Sequence, residues 1–528
     1  MGTPYFPARS VLFQKETNGV TYRVPALLYL SSSRSFLAFC EERLSPSDSQ
    51  AHLLVMRKGT FYKNYVEWED MRVLGSAYLP GHRSMNPCPV FDEFTGTLFL
   101  FFITVLGHTS ESYQLVTGRN VTRLCYVSSA DGGDTWSPAC DITERVIGDT
   151  IKEWATFALG PGHGIQLKSG RLLIPAYAYH IECKECFGQL CQTTPHSFCF
   201  HSDTHGRTWS FGQAVPGPES VECQMVSVDE EDGTNLLYCN ARSPLGYRVQ
   251  AVSLDDGAVF QEGQLVQRLV EPQNGCHGSI VGFPAPLHLH HSFNYYLSKP
   301  IHCSKHWAPC AANSHHISVD KTSSLKATVS PRISSSHSNS DSSILNVTER
   351  PIMMTILSSP QPIAPPDFLT PTWVVYSHPT WTSVRKDLGV FLNLFPRDPD
   401  SWHGPWVIYK GPSAYSDLAY LELSASPGSP PAVAFACLFE CGTKTPYDEI
   451  CFSIFTLYEL IDNLPRDVQS GLDSTVNQRH HSKRQTLQVT EAGCCSSNRC
   501  DTQNLNCLYD MIHGNKKDNK LSPLCSLS

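Results

Sequence analysis

The chain has 528 residues, of which 41% are hydrophobic and 17% are charged, a composition typical of a globular protein with a large core. Its formal net charge of −9 argues against a dedicated nucleic-acid-binding protein. No run approaches the ~18 apolar residues that a membrane-spanning helix needs, and the first ten residues hold no apolar signal core. We therefore expect no transmembrane helix and no signal peptide.

Short apolar runs recur through residues 11–285 and 371–460, with Gly, Pro, Asn and Asp between them. Few segments keep a helical period, so the pattern predicts an all-β fold. Many short strands over such a length are typical of a propeller or a large sandwich. The runs of strand length include residues 22–30, 97–103, 171–179, 373–376, 433–439 and 450–457.

One eight-residue pattern occurs three times and favours the propeller. Ser129–Trp136 has the form S-x-D-x-G-x-T-W, residues 202–209 repeat it with Thr204 where Asp is expected, and residues 253–260 form a weaker copy. The pattern suits a hairpin turn, because Asp accepts hydrogen bonds from backbone N–H groups, Gly adopts positive φ and the aromatic ring packs beneath. Three unrelated hairpins would also explain the copies, but recurring blades explain them better.

Two segments differ in composition from the rest of the chain. Residues 286–370 lack periodicity, and 13 serines lie within residues 301–350, which predicts a disordered low-complexity insertion in one blade. Residues 465–528 form a predicted disordered tail with a basic run and five cysteines. The tail is either solvated or a membrane attachment through palmitoylated cysteines. The predicted domain is therefore residues 1–464, interrupted by the insertion.

Three arginines lie in or beside apolar segments: Arg23, Arg242 and Arg385. A buried cation needs a partner, so each arginine is either part of a structural ion pair or part of an anion site. If the three converge, their planar guanidinium groups would bind a carboxylate. The His and Cys residues within 288–310 and 183–191 have no compact zinc spacing, and we expect no metal and no cofactor.

Several motifs resemble those of the sialidase (exo-α-neuraminidase) family. Tyr22-Arg23-Val24-Pro25 resembles its YRIP motif, and Ser129–Trp136 resembles its Asp box. Four further segments resemble the vertebrate members of the family: HRSMNPCP at 82–89, NVTRLC at 120–125, ATFALGPGHG at 155–164 and AYSDL at 414–418. The resemblance covers about 11–285 and 371–460. It implies a six-bladed β-propeller with Asp-box turns and hydrolysis of terminal α-linked sialic acid with retention of configuration.

The resemblance also implies the catalytic residues. Asp48 matches the general acid/base, Tyr415 the nucleophile and Glu222 the base that activates it. A tyrosine suits this substrate, because the anomeric carbon of sialic acid carries a carboxylate that would repel a carboxylate nucleophile. A phenol with its ordinary pKa of about 10 is a poor nucleophile and needs an adjacent base.

The substrate-binding residues follow from the same resemblance. Arg23, Arg242 and Arg385 match the triad that binds the carboxylate, and Glu440 matches the acid that orients the first of them. The other matching positions are Arg43 near the carboxylate, and Met85, Asn86, Glu111, Tyr177 and Tyr179 around the N-acyl and glycerol arms.

We therefore expect an exo-α-sialidase that acts on sialylated glycoproteins, oligosaccharides and gangliosides and takes part in their catabolism. A non-catalytic sialic-acid-binding propeller would lack Asp48, Tyr415 or Glu222, and a protein scaffold would need no arginine triad. Within the family, specificity for membrane gangliosides is the nearest alternative. The resemblance implies intracellular, peripheral association with a membrane of the lysosome, endoplasmic reticulum or mitochondrion.

Overall fold

Strands dominate the computed structural model, which describes residues 5–62, 65–184, 191–286, 370–423 and 432–465. All of these residues belong to one of the two units into which the chain divides. The predicted insertion and the predicted tail lie outside the described residues, apart from their boundary positions. The expected all-β class is confirmed for the described part of the chain.

The described strands are numbered in chain order and form five antiparallel sheets. The strand β1 (Arg9–Gln14) belongs to the last of these sheets. The first sheet contains β2 (Thr21–Leu30), β3 (Ser35–Arg43), β4 (Ala51–Tyr62), β5 (Tyr65–Trp68) and β6 (Arg72–Val73). The second contains β7 (His82–Asp92), β8 (Thr97–Leu106), β9 (Thr122–Ser129) and β10 (Cys140–Asp141).

The third sheet contains β11 (Trp154–Leu159), β12 (Ile165–Gln166), β13 (Leu172–Cys183), β14 (Gln192–Ser202) and β15 (Ser210–Phe211). The fourth contains β16 (Cys223–Asp229), β17 (Asn235–Ala241), β18 (Tyr247–Ser253) and β19 (Gln264–Val270). The fifth contains β1 with β20 (Ser279–Pro284), β21 (Thr372–Pro379), β22 (Lys386–Asn393), β23 (Trp402–Leu423), β24 (Ala432–Cys441) and β25 (Glu449–Thr456). All six runs predicted as strands coincide with strands of these sheets.

The arrangement is propeller-like, but it differs from the expected six separate blades. Within the described residues, four sheets have the four or five strands of a single blade, and the fifth has seven strands. The physical reason is β23, whose 22 residues continue from one set of partners to the next without a break. At the edge of this sheet β1 pairs with β25, so strands from both ends of the described chain lie side by side.

Asp417 of β23 connects strands of several sheets near their meeting point. Its carboxylate accepts hydrogen bonds from the Leu27 N–H of β2 at 2.7 Å and from Gln224 Nε2 of β16 at 2.8 Å. It also bonds to Ser279 Oγ of β20 and to His163 Nδ1, each at 2.8 Å. Because Asp417 is fully buried, these bonds replace the water that its carboxylate loses on folding.

The three repeated motifs form the same turn directly after β9, β14 and β18, before the last strand in the hydrogen-bonded order of three different sheets. In each, the first Ser hydroxyl accepts the Gly N–H, as Ser129 does from Gly133 at 2.9 Å. Asp131 accepts the Thr135 N–H at 2.9 Å in the first copy. In the second copy the Thr204 hydroxyl takes over and accepts from the Thr208 N–H at 2.8 Å. The substitution at Thr204 therefore preserves the turn.

The described helices are short: α1 (Glu111–Thr117), α2 (Thr143–Val146) and α3 (Leu457–Asn463), with 3-10 turns at Asp48–Gln50 and Gly148–Glu153. In this part of the chain no helix has the length and apolar character needed to span a bilayer. The Ser110 hydroxyl caps α1 by accepting the Tyr113 N–H at 3.1 Å. This cap places Glu111 at the start of the helix, next to the cavity described below.

Candidate active site

A cavity of about 790 Å³ is lined by residues from or next to strands of all five sheets. The twelve residues predicted for catalysis or substrate binding all line it, and Glu440 lies directly behind one of them. The lining residues predicted from the sequence are Arg23, Arg43, Asp48, Met85, Asn86, Glu111, Tyr177, Tyr179, Glu222, Arg242, Arg385 and Tyr415. The fold therefore brings together positions that lie as far apart as residues 23 and 440 in the chain.

Arg23 on β2 is anchored by the buried carboxylate of Glu440 on β24. Its Nε donates to Glu440 Oε1 at 3.0 Å, and a second guanidinium nitrogen lies 3.4 Å from Oε2. Glu440 also accepts the N–H groups of Val24 at 2.9 Å and Tyr415 at 3.1 Å. Although burial opposes its charge, the neighbouring Glu440 raises the pKa of Arg23. The guanidinium is therefore fixed and permanently charged.

Tyr415 on β23 forms the most direct polar link in the cavity. Its hydroxyl donates a short hydrogen bond to Glu222 Oε1. Glu222 is the residue immediately before β16. Arg242, which follows β17, donates to the other carboxylate oxygen of Glu222 at 2.7 Å and to the Tyr415 hydroxyl at 3.1 Å. A phenol, a carboxylate and a guanidinium thus share one network of hydrogen bonds.

The electrostatics of this network give the phenol and the carboxylate different protonation states. Burial, reinforced by Glu222, raises the pKa of Tyr415 well above its ordinary value, although the three arginines oppose this shift. Burial also opposes the ionisation of Glu222, but Arg242 and the hydrogen bond from Tyr415 lower its pKa. The resting state is a neutral phenol that donates to a carboxylate able to receive its proton.

The arginines also surround the ring of Tyr415. The Cζ atoms of Arg23 and Arg385 each lie 5.3 Å from the ring centre, within the range of a cation–π contact. Arg385 is the residue immediately before β22, and its guanidinium donates to the Tyr447 hydroxyl at 3.3 Å. The predicted triad therefore converges around one tyrosine, and the alternative of three separate structural ion pairs does not describe it.

Asp48 lies at the start of a 3-10 turn on another side of the cavity, and its side chain is 70% exposed. It accepts a short hydrogen bond from Arg43 and lies 3.9 Å from a nitrogen of Arg23. Arg43 is itself buried and donates to Glu41 Oε2 at 2.7 Å. Asp48 is thus a carboxylate with solvent access that two cations hold at the cavity.

The remaining wall is built from β7, α1 and β13. Met85 and Asn86 lie at a bulge of β7, where Asn86 has a φ of +54° and its N–H donates to Glu41 Oε1 at 2.8 Å. Tyr177 and Tyr179 lie two residues apart on the same face of β13, and their ring centres are 6.1 Å apart. The wall therefore combines a thioether, an amide and two phenols.

Glu111, the first residue of α1, belongs to this wall and has an unusual pKa. Glu111 keeps solvent exposure, but desolvation of its carboxyl group within the cavity, together with the charges of Glu222 and Asp48, raises the pKa of Glu111 to about 7, although Arg242 opposes the shift. Its carboxyl group therefore changes charge near neutral pH.

Sequence reasoning missed a turn that supports two of the arginines. Asn274 and Gly275 have φ angles of +64° and +70°, and Asn274 lines the cavity. Asn274 O accepts from Arg242 Nε at 3.2 Å, and Gly275 O accepts from Arg385 at 3.0 Å. The Asn-Gly pair is a turn signal, but nothing in the sequence indicates what its carbonyl groups bind.

Two buried groups behind this turn were also missed. Glu271 accepts the Cys276 N–H at 2.9 Å and bonds to Arg248 at 3.1 Å. Burial opposes its ionisation, but Arg248 and His378 lower the pKa of Glu271 to about 2. His277 packs its ring 5.4 Å from that of Tyr415, and burial lowers its pKa to about 4. A neutral imidazole therefore lies beside the phenol at neutral pH.

Comparison with known proteins places this geometry in a family. A BNR repeat-like domain matches residues 35–281. Sialidase-4 of Mus musculus is 47% identical over 477 residues, covering 89% of this chain and 97% of the mouse protein. Sialidase-3 of Homo sapiens is 41% identical over 463 residues, covering 87% of this chain and 95% of the human protein.

Solved structures with similar architecture share much less sequence. Hadza microbial sialidase Hz136 superposes with a TM-score of 0.55 at 19% identity, covering 84% of this chain and 67% of that one. Trypanosoma rangeli sialidase, in complex with 2,3-difluorosialic acid as a covalent intermediate, superposes with a TM-score of 0.51 at 13% identity. The match covers 93% of this chain and 64% of that one. These two likenesses support the fold alone. The identity to sialidase-4 over most of both chains shows that this protein belongs to the vertebrate sialidase family of exo-α-sialidases, which are glycoside hydrolases.

Proposed function

We propose that this protein removes terminal α-linked sialic acid from glycoproteins, oligosaccharides and gangliosides by retaining hydrolysis, with Tyr415 as the nucleophile. The observation that carries the proposal is the hydrogen bond from the Tyr415 hydroxyl to Glu222 in a cavity with three arginines. A protein that only bound sialic acid would need the arginines but no base beside a phenol. The paired phenol and carboxylate therefore favour catalysis.

The substrate carboxylate would bind to Arg23, Arg242 and Arg385. All three guanidinium groups line the cavity and are held by partners on their protein side, as Glu440 holds Arg23. Preorganised cations of this kind bind an anion without first paying the entropy of ordering their side chains. Binding of the carboxylate to these three arginines would place the anomeric carbon, which carries the carboxylate, beside the Tyr415 oxygen.

The first chemical step would form a bond from the Tyr415 oxygen to the anomeric carbon while the bond to the leaving oxygen breaks. Glu222 takes the phenol proton, which the existing hydrogen bond already directs toward it. Asp48 donates a proton to the leaving oxygen, and its exposed side chain suits this position at the cavity edge. The product is a sialyl–tyrosine intermediate and a free aglycone.

In the second step water would attack the anomeric carbon and give its proton to Asp48. The bond to Tyr415 breaks as the bond to water forms, and the phenol recovers its proton from Glu222. Two displacements at one carbon restore the original configuration. Met85, Asn86, Glu111, Tyr177 and Tyr179 would contact the N-acyl and glycerol arms, since they line the same cavity as the arginines.

A trapping experiment tests the nucleophile directly. Incubation with 2,3-difluorosialic acid and peptide mass spectrometry should find the sugar attached to Tyr415. Tyr415→Phe is the matched control and should carry no adduct. Proton NMR of the sialic acid released first should show the α-anomer. An adduct on another residue, or release of the β-anomer first, would overturn the mechanism.

The substrate range is proposed from the family and needs its own measurement. A panel of sialyllactoses, a sialylated glycoprotein and a ganglioside in detergent, assayed from pH 4 to pH 7, would measure kcat/KM for each class. Comparable values across the panel would support broad specificity and a role in ganglioside as well as glycoprotein catabolism. Hydrolysis of the ganglioside alone would instead support the narrower membrane specificity.

We further infer that the seven-stranded sheet corresponds to two blades joined through β23, which would give six blades in all. Residues 402–412 of β23 pair with β22, and residues 413–423 pair with β24. Each half has four strands, namely β20 to β23 and β23 to β25 with β1. An experimental structure with a break in pairing at residues 412–413 would support this division.

Peripheral membrane association stays a prediction, because the cysteine-containing tail lies outside the described residues. It is tested by flotation of the full chain and of a chain ending at residue 465 with vesicles that contain anionic lipid. Binding of the full chain alone would support attachment through the tail. Equal binding of both would place the contact elsewhere.

A further inference from the structure

A cluster of two thiols and a carboxylate lies next to the active site but takes no part in it. The sulfur atoms of Cys441 and Cys451 are 3.0 Å apart, and Cys451 Sγ lies 3.6 Å from Glu449 Oε2. One ligand atom from each of the three residues lies within 4.8 Å of the other two. Both cysteines are free and fully buried, while Glu449 is half-buried.

Strand pairing explains how the sequence assembles this cluster. Cys441 on β24 lies directly opposite Glu449 on β25, and Cys451 follows two residues later on the same face. Neighbouring side chains on a strand point to opposite faces. Cys441 therefore points away from the face on which its neighbour Glu440 holds Arg23.

We propose that Cys441, Cys451 and Glu449 form a binding site for a soft divalent cation of the zinc class. Thiolate sulfur and carboxylate oxygen are established zinc ligands, and three protein ligands leave one position for water. Harder ions such as magnesium and calcium prefer all-oxygen sites, so the two sulfurs select against them.

The charge around the cluster suits such an ion. Two thiolates and one carboxylate carry three negative charges, of which a divalent cation neutralises two. Arg9 supplies a further positive charge nearby, since its guanidinium lies 4.8 Å from the ring centre of Tyr409. The Tyr409 hydroxyl in turn donates to the carbonyl of Gly442, the residue after Cys441, at 2.8 Å.

The sulfur geometry also describes the binding step. In a tetrahedral site with bonds of about 2.3 Å, two sulfur atoms lie about 3.8 Å apart. The two sulfur atoms now lie 3.0 Å apart, and a small side-chain rotation would widen this distance to the metal-bound separation. Two S–H bonds break, two metal–sulfur bonds form and two protons leave. Binding should therefore weaken as the pH falls.

The test uses the reduced full chain after removal of metals with a chelator. Titration with Cd²⁺, a spectroscopic substitute for zinc, should produce a thiolate-to-metal absorption band in the ultraviolet. Because other cysteines also bind Cd²⁺, the informative quantity is the number of equivalents bound. Cys451→Ser should bind one tight equivalent fewer than the wild type. Cys437→Ser removes an equally buried thiol from β24 outside the cluster and should lose none.

A second measurement does not depend on spectroscopy or on hydrolysis. Zn²⁺ should raise the melting temperature of the wild type and of Cys437→Ser, because a ligand of the folded state stabilises it. The increase should disappear in Cys451→Ser, and Glu449→Gln should weaken the binding of Zn²⁺ roughly tenfold or more. Since neither readout uses sialic acid, the result is independent of the proposed function.

Two outcomes would overturn the proposal. Equal numbers of bound equivalents and equal melting shifts in all variants would mean that the metal binds only to other cysteines. Recovery of a disulfide between Cys441 and Cys451 from the protein as isolated would mean that the sulfurs bond to each other instead. Peptide mass spectrometry without reduction distinguishes the second outcome from the first.

Discussion

Arg23 and Tyr415 are held by one carboxylate. Glu440 Oε1 accepts from Arg23 Nε at 3.0 Å, while Oε2 accepts from the backbone N–H of Tyr415 at 3.1 Å. Because Glu440 is fully buried, any movement of its strand shifts the arginine and the tyrosine together. The group proposed to bind the sugar carboxylate and the proposed nucleophile therefore keep a fixed distance from each other.

Replacing the proposed nucleophile should separate binding from chemistry. We expect Tyr415→Phe to reduce kcat by about a hundredfold or more, because the phenol oxygen that is proposed to form the covalent intermediate is lost. The ring and its contacts with Arg23 and Arg385 remain. A melting curve near that of the wild type is the control for folding. Turnover close to that of the wild type in the folded variant would exclude Tyr415 as the nucleophile.

The arginine triad is tested by changing geometry at constant charge. Arg242→Lys and Arg385→Lys should each lower kcat/KM by roughly ten- to a hundredfold, since lysine lacks the planar donor pair. An unsaturated sialic acid should raise the melting temperature of the wild type and raise that of each variant much less. Equal shifts in all proteins would mean that these arginines stabilise the fold and do not bind the sugar.

Glu111 should make stability depend on pH in an identifiable window. Its pKa rises from an ordinary value of 4.5 to about 7 in the folded protein, mainly through desolvation of the carboxyl group within the cavity. Between these values the folded state keeps a proton that the unfolded chain releases, so stability falls as the pH rises. We expect the melting temperature of Glu111→Gln to exceed that of the wild type increasingly from pH 4.5 to pH 7.

The control for this effect is Glu67→Gln, because Glu67 lies on an exposed strand and does not line the cavity. Its melting temperature should follow that of the wild type at every pH. If the difference between Glu111→Gln and the wild type were constant over the window, Glu111 would not titrate there.

The sequence predicted the fold where a local pattern carries the information. Short apolar runs between turn residues identify β2 and β8, and the Ser129–Trp136 motif identifies a hairpin, because each depends on neighbours in the chain. The joining of two sheets through β23 was missed. It depends on continuous pairing across residues 412 and 413. The local sequence Gly411-Pro412 instead predicts a break at this point, so the pattern misleads here.

In the site, too, the residues that lie in recognisable motifs were predicted and the others were missed. Motif resemblance found Arg242 and Glu222, because each lies in a recognisable segment. It missed Tyr447, whose ring centre lies 4.0 Å from Arg23 Cζ. Tyr447 lies between turn residues in the sequence and belongs to no motif that resembles the family. The support that Asn274 gives to Arg242 was also hidden, since a backbone carbonyl has no side-chain identity to read.

The turn at Asn274 and Gly275 offers a test of that hidden support. A Cβ on Gly275 would lie 2.7 Å from Arg242 Nε, and the φ of +70° is unfavourable for alanine. We expect Gly275→Ala to displace Arg242 and Arg385, because Arg385 bonds to the Gly275 carbonyl. The KM for a sialyllactose should rise about tenfold, because two of the three cations proposed to bind the carboxylate move.

Gly246→Ala is the matched control, because Gly246 also has a positive φ, of +86°, but an added Cβ would meet no atom within 4 Å. Both variants strain the backbone by a similar amount, so both should melt below the wild type. Only Gly275→Ala should raise KM and reduce the melting shift produced by an unsaturated sialic acid. If both variants kept the KM of the wild type, the turn would not position the arginines, and its contacts with Arg242 and Arg385 would be structural.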